Sequence, residues 1–248
     1  MATRIPVTVL GATGVVGQRF VQGLARHPRF RIQHLAASER SVGKPYREAC
    51  DWRLEGEPYG GFGEQVLVAA DADSAWAPLV FSALDSGPAS LLEPAFAQAG
   101  SMVFSNASAF RMAADVPLLV PEVNPEHLGL LAEQGRRRGW RGGIVCNPNC
   151  TATVLVMALA PLHAAFGIDA LVMTSMQAVS GAGYPGVSAL DILGNVLPYI
   201  SGEEEKVEEE TPRLLGVFEN GEVRPASFAM SALCHRVPVL DGHTEAVS

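Results

Sequence analysis

The chain has 248 residues, of which 48% are hydrophobic and 18% charged; this excludes a disordered chain and leaves enough apolar material for a real core. Lys and Arg number 18 against 26 Asp and Glu, a net charge of -8, which excludes a nucleic-acid binder that works by neutralising phosphates. The 4 cysteines, Cys50, Cys146, Cys150 and Cys234, are too scattered for a disulfide framework and form no CxxC pair, so no metal site is expected.

The opening MATRIPVTVLGATG runs straight into a glycine loop and is not a signal peptide. Residues 6–10 are a short apolar run suited to a buried parallel strand. Gly11 to Gly17 follow, and residues 15–26 carry helical spacing. Further strands are expected at 31–37, 66–69, 79–83, 101–105 and 117–120, with a helix at 90–99 ending on Gly100. Strands alternating with helices predict a doubly wound, Rossmann-type parallel sheet. The character changes near 142–145. A long helix is expected over 151–166, too short and too interrupted by Pro161 and His163 for a membrane span. A strand follows at 171–179, then a charged run at 203–210 and strand-like material at 229–240. The expected division is 1–146, a nucleotide-binding domain, and 147–248, a catalytic α+β domain. The chain reads as a cytoplasmic protein with no membrane partner.

The loop Gly11-Ala-Thr13-Gly14-Val15-Val-Gly17 lies between a strand and a helix. Glycines there let the backbone approach a pyrophosphate, and the helix start offers free N–H donors. The plain alternative is a tight turn with no ligand. After the second strand come Ser38, Glu39, Arg40 and Ser41. A cation and hydroxyls suit a 2′-phosphate and therefore NADP, whereas an NAD site places a carboxylate there. Glu39 is the contrary residue, and a polar loop is the plain alternative. Ser82, ending the 79–83 strand, is placed with the cofactor residues.

Cys150 stands in Asn-Pro-Asn149-Cys150-Thr-Ala, where the long helix begins. A helix N-terminus favours the thiolate, the form needed to carry a covalent acyl group. Cys50, Cys146 and Cys234 read as packing. A histidine is the usual partner. Of 6 histidines, His27, His34 and His163 read as structural, while composition does not choose between His235 and His243. The run EEEKVEEE, by charge alone, is a solvated helix face.

Together these segments resemble the aspartate-β-semialdehyde dehydrogenase family. The matching pieces are VTVLGATGVVGQRF, AASERSVGK, SNASAFRM, NPNCTAT, SMQAVSGAGYPG, GEEEK and RVPVLDGHT, in family order. NPNCTA also differs from the NPGCYPT typical of N-acetyl-γ-glutamyl-phosphate reductases. The resemblance implies Cys150 as nucleophile, His243 as acid/base and Gln177 as the glutamine that positions substrate. It implies Arg236 as the clamp on the substrate carboxylate, and Glu203 and Lys206 on the amino group and phosphate, with Glu204 and Glu205 leaving a one-residue doubt. Arg111 and Asn149 are implied at the phosphate, and Ser180, Gly181 and Gly183 beside the nicotinamide. The implied reaction is NADPH-dependent reduction of L-4-aspartyl phosphate to aspartate semialdehyde through a cysteine thioester, in a homodimer or homotetramer. Family members continue past the histidine, so the resemblance implies a catalytic domain present here only in part. The alternatives are a related acyl-phosphate or malonyl-CoA reductase, and a non-catalytic homologue that binds nucleotide or a partner.

Overall fold

The computed structural model describes residues 3–248. Two compact units form: Met1–Pro117 with Gly129–Asn147, and Leu118–Leu128 with Pro148–Ser248. Among the described residues, no helix is long and apolar enough to cross a membrane.

The first unit is built on a parallel sheet. The strand β1 (Ile5–Leu10) is buried along its last four residues, as a central strand covered on both faces must be. It leads into α1 (Val15–Leu24), then β2 (Phe30–Ala37), the short helix α2 (Tyr46–Ala49), β3 (Val68–Ala69) and β4 (Leu79–Ser82). Helix α3 (Ser86–Ala99) closes on Gly100 in a left-handed C-cap; β5 (Met102–Ser105), α4 (Leu130–Arg138) and β6 (Gly143–Cys146) complete the unit. The strand order is β3-β2-β1-β4-β5-β6, and every pairing is parallel. That order reverses direction at β1, so the ends of β1 and β4 open a crevice of the kind that takes dinucleotides.

Two sequence expectations fail here. Residues 117–120 form no regular strand: the Pro117 carbonyl accepts from the Cys146 amide (2.8 Å) at the edge of β6, but beyond it a side chain replaces the ladder, Asn124 accepting from the Val120 amide (2.9 Å) and donating to the Leu118 carbonyl (2.9 Å). The last strand is instead β6, four buried residues next to an arginine-rich helix. Its open edge is closed by Gln134 of α4, which accepts from the Ile144 amide (2.7 Å) and donates to its carbonyl (3.0 Å). Nor does one cut separate the units. Residues 118–128 go with the second, where buried His127 lies 3.2 Å from the Gly216 carbonyl and 2.8 Å from Asn124.

The second unit begins with α5 (Cys150–Phe166), whose buried stripe is Thr151, Ala152, Leu155, Val156 and Leu159. Strand β7 (Ala170–Gln177) alternates, with Leu171, Met173, Ser175 and Gln177 buried. The short α6 (Ala189–Ile192) and α7 (Glu203–Leu214) follow. The hairpin β8 (Val217–Glu219) and β9 (Glu222–Arg224) turns on Asn220 and Gly221, both at positive φ as a two-residue turn of this kind requires. Then come β10 (Ala229–Arg236) and β11 (Thr244–Val247). The sheet order is β10-β7-β11, parallel on one side of β7 and antiparallel on the other. Its register sets Arg236 beside Gln177, and Thr244 opposite Met176. The inward residues at that end of the sheet are therefore polar, and His243 is delivered to them by the chain entering β11.

Candidate active site

The loop after β1 is shaped by close approach. Gly11 has φ 70°, and a Cβ there would lie 2.6 Å from the Ala83 carbonyl oxygen. A Cβ on Gly17 would lie 2.2 Å from the Gly11 oxygen, so α1 can seat on the turn only with glycine there. The loop carbonyls are engaged by the protein. Tyr46 donates its hydroxyl to Ala12 (2.7 Å), and buried Gln18 donates to Thr13 (3.0 Å). The N-cap of α1 is Gly14, with no side-chain cap and no acidic residue in the first turn around Val15. An uncapped helix start beside a reversal in strand order fits a pyrophosphate.

Ser38, Arg40 and Ser41 form a turn after β2, with the Ser41 amide on the Ser38 carbonyl (2.8 Å) and Arg40 exposed. Ser82 is not displayed with them. It is 0% exposed at the end of β4, close to Glu93, which is itself buried and accepts from Ser105 (2.7 Å). Burial pushes the Glu93 carboxyl above its usual range, partly countered by the Ser105 and Ser82 hydroxyls. Arg111, also in the first unit, donates to the Asn106 carbonyl (2.8 Å).

In the second unit the sulfur Sγ of Cys150 lies 3.3 Å from Nε2 of His243. The other ring nitrogen, Nδ1, accepts the Ala178 amide N–H (3.2 Å). A ring whose Nδ1 accepts is neutral and carries its hydrogen on Nε2, facing the sulfur. Burial, then the positive charge of Arg236, hold the imidazole below its usual pKa, against a smaller opposite pull from Glu203. His235, left open by composition, lies on β10 one residue before buried Arg236, where alternation turns it to the other face.

The thiol departs from the sequence expectation. Burial, and after it the charge of Glu203, push Cys150 above its ordinary pKa, outweighing Thr151 and the first amides of α5. Those amides already have an acceptor: Asn149 caps α5, its Oδ1 taking the N–H of Thr151 (2.8 Å) and Ala152 (3.1 Å). The dipole of the helix start is thus largely occupied by the cap.

Around this pair lies a buried polar network. Glu203 Oε1 accepts from Asn149 (2.8 Å), Gln177 (3.3 Å) and Thr151 (3.4 Å), while its other oxygen stands 3.8 Å from Lys206. Gln177 also donates to Thr151 (2.8 Å) and Ser175 (3.3 Å). Arg236 is 5% exposed and donates to the Ala178 carbonyl (2.7 Å). Gly181 keeps room for both cation and ring, because a Cβ there would meet Arg236 at 2.9 Å and His243 at 3.2 Å. Ser180 and Gly183 close the same turn, joined by a 3.2 Å backbone bond.

The acidic run is not a solvated face. Glu203 and Glu210 are buried against Asn149, while Glu204 and Glu208 accept the free amides of the edge strand β10, Cys234 (2.9 Å) and Ala232 (2.9 Å). This places Glu203, and not Glu204 or Glu205, in the network; Glu205 is exposed. Thr151, Ser175 and Glu210 were not legible as site residues. Only the inward spacing of Glu203, Val207 and Glu210 on α7 hints at the last.

Two family descriptions match: "Semialdehyde dehydrogenase, NAD binding domain" over residues 6–131 and "Semialdehyde dehydrogenase, dimerisation domain" over residues 159–248. The aspartate-semialdehyde dehydrogenase of Archaeoglobus fulgidus is 56% identical over 244 residues, 98% of this chain and 71% of that relative. That of Methanothermobacter thermautotrophicus is 52% identical, over 98% and 70%. Among solved structures, aspartate semialdehyde dehydrogenase with NADP from Candida albicans superposes with a TM-score of 0.89 at 43% identity, covering 99% of this chain and 71% of that one. The Vibrio cholerae aspartate semialdehyde dehydrogenase II complexed with ASA gives 0.74 at 29% identity, over 99% and 74%.

Proposed function

The chain belongs to the aspartate-semialdehyde dehydrogenase family, and we propose that it reduces L-4-aspartyl phosphate to L-aspartate 4-semialdehyde through a thioester on Cys150. The observation that carries this is the 3.3 Å approach of His243 Nε2 to Cys150 Sγ at the capped start of α5. The Gly11–Gly17 turn with Ser38, Arg40 and Ser41 would hold NADPH, which would supply the hydride for the thioester.

The residues divide the remaining work. Cys150 gives its proton to solvent and attacks the acyl carbon as thiolate; the C–S bond forms as the bond to phosphate breaks, and phosphate leaves. The Nε2–H of His243 donates to the sulfur; a neutral imidazole polarises a reacting centre without needing to lose its proton. The acid form that returns a proton to sulfur as product leaves must displace the Ala178 amide from Nδ1, so it is a transient and not the resting state. Arg236 offers a fork to the substrate carboxylate. Glu203 Oε2 takes the amino group, and Lys206 with Asn149 binds phosphate; Arg111 keeps the phosphate role that the family resemblance gives it. Gln177 acts by holding Thr151 and Glu203 in place.

Phosphate-dependent reduction of NADP with aspartate semialdehyde tests the reading, run beside malonyl-CoA and NADPH. Cys150→Ser is expected to lower turnover by about 10³-fold or more. Full activity in that variant, or turnover of malonyl-CoA alone, overturns the reading. The outward face of β7 and β10 exposes Val172, Met176 and Leu233, and on it we place the contact of a homodimer, which light scattering on the eluted protein would show.

A further inference from the structure

We infer that Glu210 is a positioning residue for the nucleophile: its carboxylate completes the cap of α5 from another helix and thereby fixes the main chain that carries Cys150. The inference rests on the reading of Cys150 as nucleophile. Its observation is a 2.5 Å hydrogen bond from the Asn149 amide N–H to Glu210 Oε2, made where both residues are buried, at 6% and 2% exposure.

A capping box has two halves. The N-cap side chain accepts amides of the first turn, and a Glu or Gln at the third helical position reaches back to the N-cap amide. At α5 the first half is present, because Asn149 Oδ1 takes the amides of Thr151 and Ala152. The second half cannot be local. The third helical residue is Ala152, fully buried and without a polar atom in its side chain. Glu210, 61 residues away in sequence, supplies the missing acceptor.

The helix that delivers it is α7. Glu203 and Glu210 are seven residues apart, about two turns, so they share a face. Glu203 takes the Asn149 side-chain amide (2.8 Å) and Glu210 takes its main-chain amide. Asn149 is therefore held at three atoms, none of which can shift without breaking a buried bond. The next residue is Cys150. Without an acceptor, the Asn149 amide would be left buried and unsatisfied, so the chain would turn toward water and carry Cys150 away from His243.

The test compares Glu210→Ala with Glu210→Gln, which keeps an acceptor oxygen, in semialdehyde oxidation with phosphate and NADP. Turnover is counted per folded molecule, taken from the amplitude of the cooperative thermal unfolding transition, so unfolded protein does not contribute. Glu210→Ala is expected to lower kcat about 10-fold or more, with KM for the semialdehyde within about twofold, because Arg236 is untouched. Glu210→Gln is expected to stay within about threefold of the parent. If Glu210→Ala does not fold, Glu210→Asp, which withdraws the carboxylate by one methylene, is expected to lose kcat with the same unchanged KM. A Glu210→Ala kcat within about twofold of the parent overturns the inference, as does a Glu210→Gln as impaired as the alanine variant, or a Glu210→Asp with full kcat. A Cys150→Ser control separates the two levels. Activity lost there but kept in Glu210→Ala removes only the role of Glu210, whereas activity kept in Cys150→Ser removes the underlying reading.

Discussion

Two helix starts in this molecule are built in opposite ways. Helix α1 begins at Gly14 with no side-chain cap, after a turn whose carbonyls are engaged by Tyr46 and Gln18. Helix α5 begins at Asn149 with its first amides bonded to the Asn149 side chain and its cap amide bonded to Glu210. At the first start the Gly14 amide closes the turn on the Gly11 carbonyl (3.1 Å), and no side chain caps the amides that follow. The second uses its donors to hold a residue still. The difference teaches that a helix N-terminus stabilises an anion only while its N–H groups are unengaged. Position at a helix start therefore does not by itself make a cysteine acidic. At Cys150 burial and Glu203 win, and geometry rather than a resting thiolate prepares the sulfur.

That contrast can be broken from either side. The largest effect is expected at α5: Asn149→Ala removes the cap and should lower kcat about 100-fold, with a loss of about 1 kcal/mol in thermal unfolding. Next is the converse change at α1. Gly14 has φ -74° and only the Gly11 oxygen at 3.6 Å from a new Cβ, so Gly14→Asp fits. It should install a cap and a charge where pyrophosphate belongs, weakening NADPH binding by about 10-fold or more while stabilising the helix slightly. Calorimetric titration checks it, and unchanged affinity would remove the phosphate from this turn.

A smaller effect sharpens the account of the thiol. Cys150 alkylation by iodoacetamide should rise with pH past the range of a free cysteine. In Glu203→Gln the removed negative charge favours the thiolate, so the profile should move to lower pH and the rate at neutral pH should increase several-fold. The smallest effect lies in the first unit. The folded-state pKa of Glu93 is raised, so its contribution to stability is complete below the unfolded pKa and is lost as pH rises through the folded one. Glu93→Gln should therefore stabilise at neutral pH by about 1 kcal/mol and lose that gain in acid, read from denaturation at two pH values.

Much of the first unit was legible because its signals are local. An unbroken apolar strand, a glycine turn and a periodic helix follow one another from Ile5 to Leu24 within one stretch of chain. The β6 strand was not, since four residues after an arginine-rich helix carry no readable period. The Asn220-Gly221 pair is a hairpin signal carried by two neighbouring residues. The acidic run departs from a solvated face because composition reports charge and not direction: four of its glutamates accept hydrogen bonds from Asn149 or from the open edge of β10.

The glycine turn, the cysteine at a helix start and the family are readable from the chain alone, because each rests on neighbouring residues or ordered motifs. Only the tertiary structure decided which histidine meets Cys150 across 93 residues, which glutamates face Asn149, and that the thiol is less acidic than a helix start implies. Those outcomes depend on burial and on charges brought together through space, and neither leaves a periodic trace along the chain.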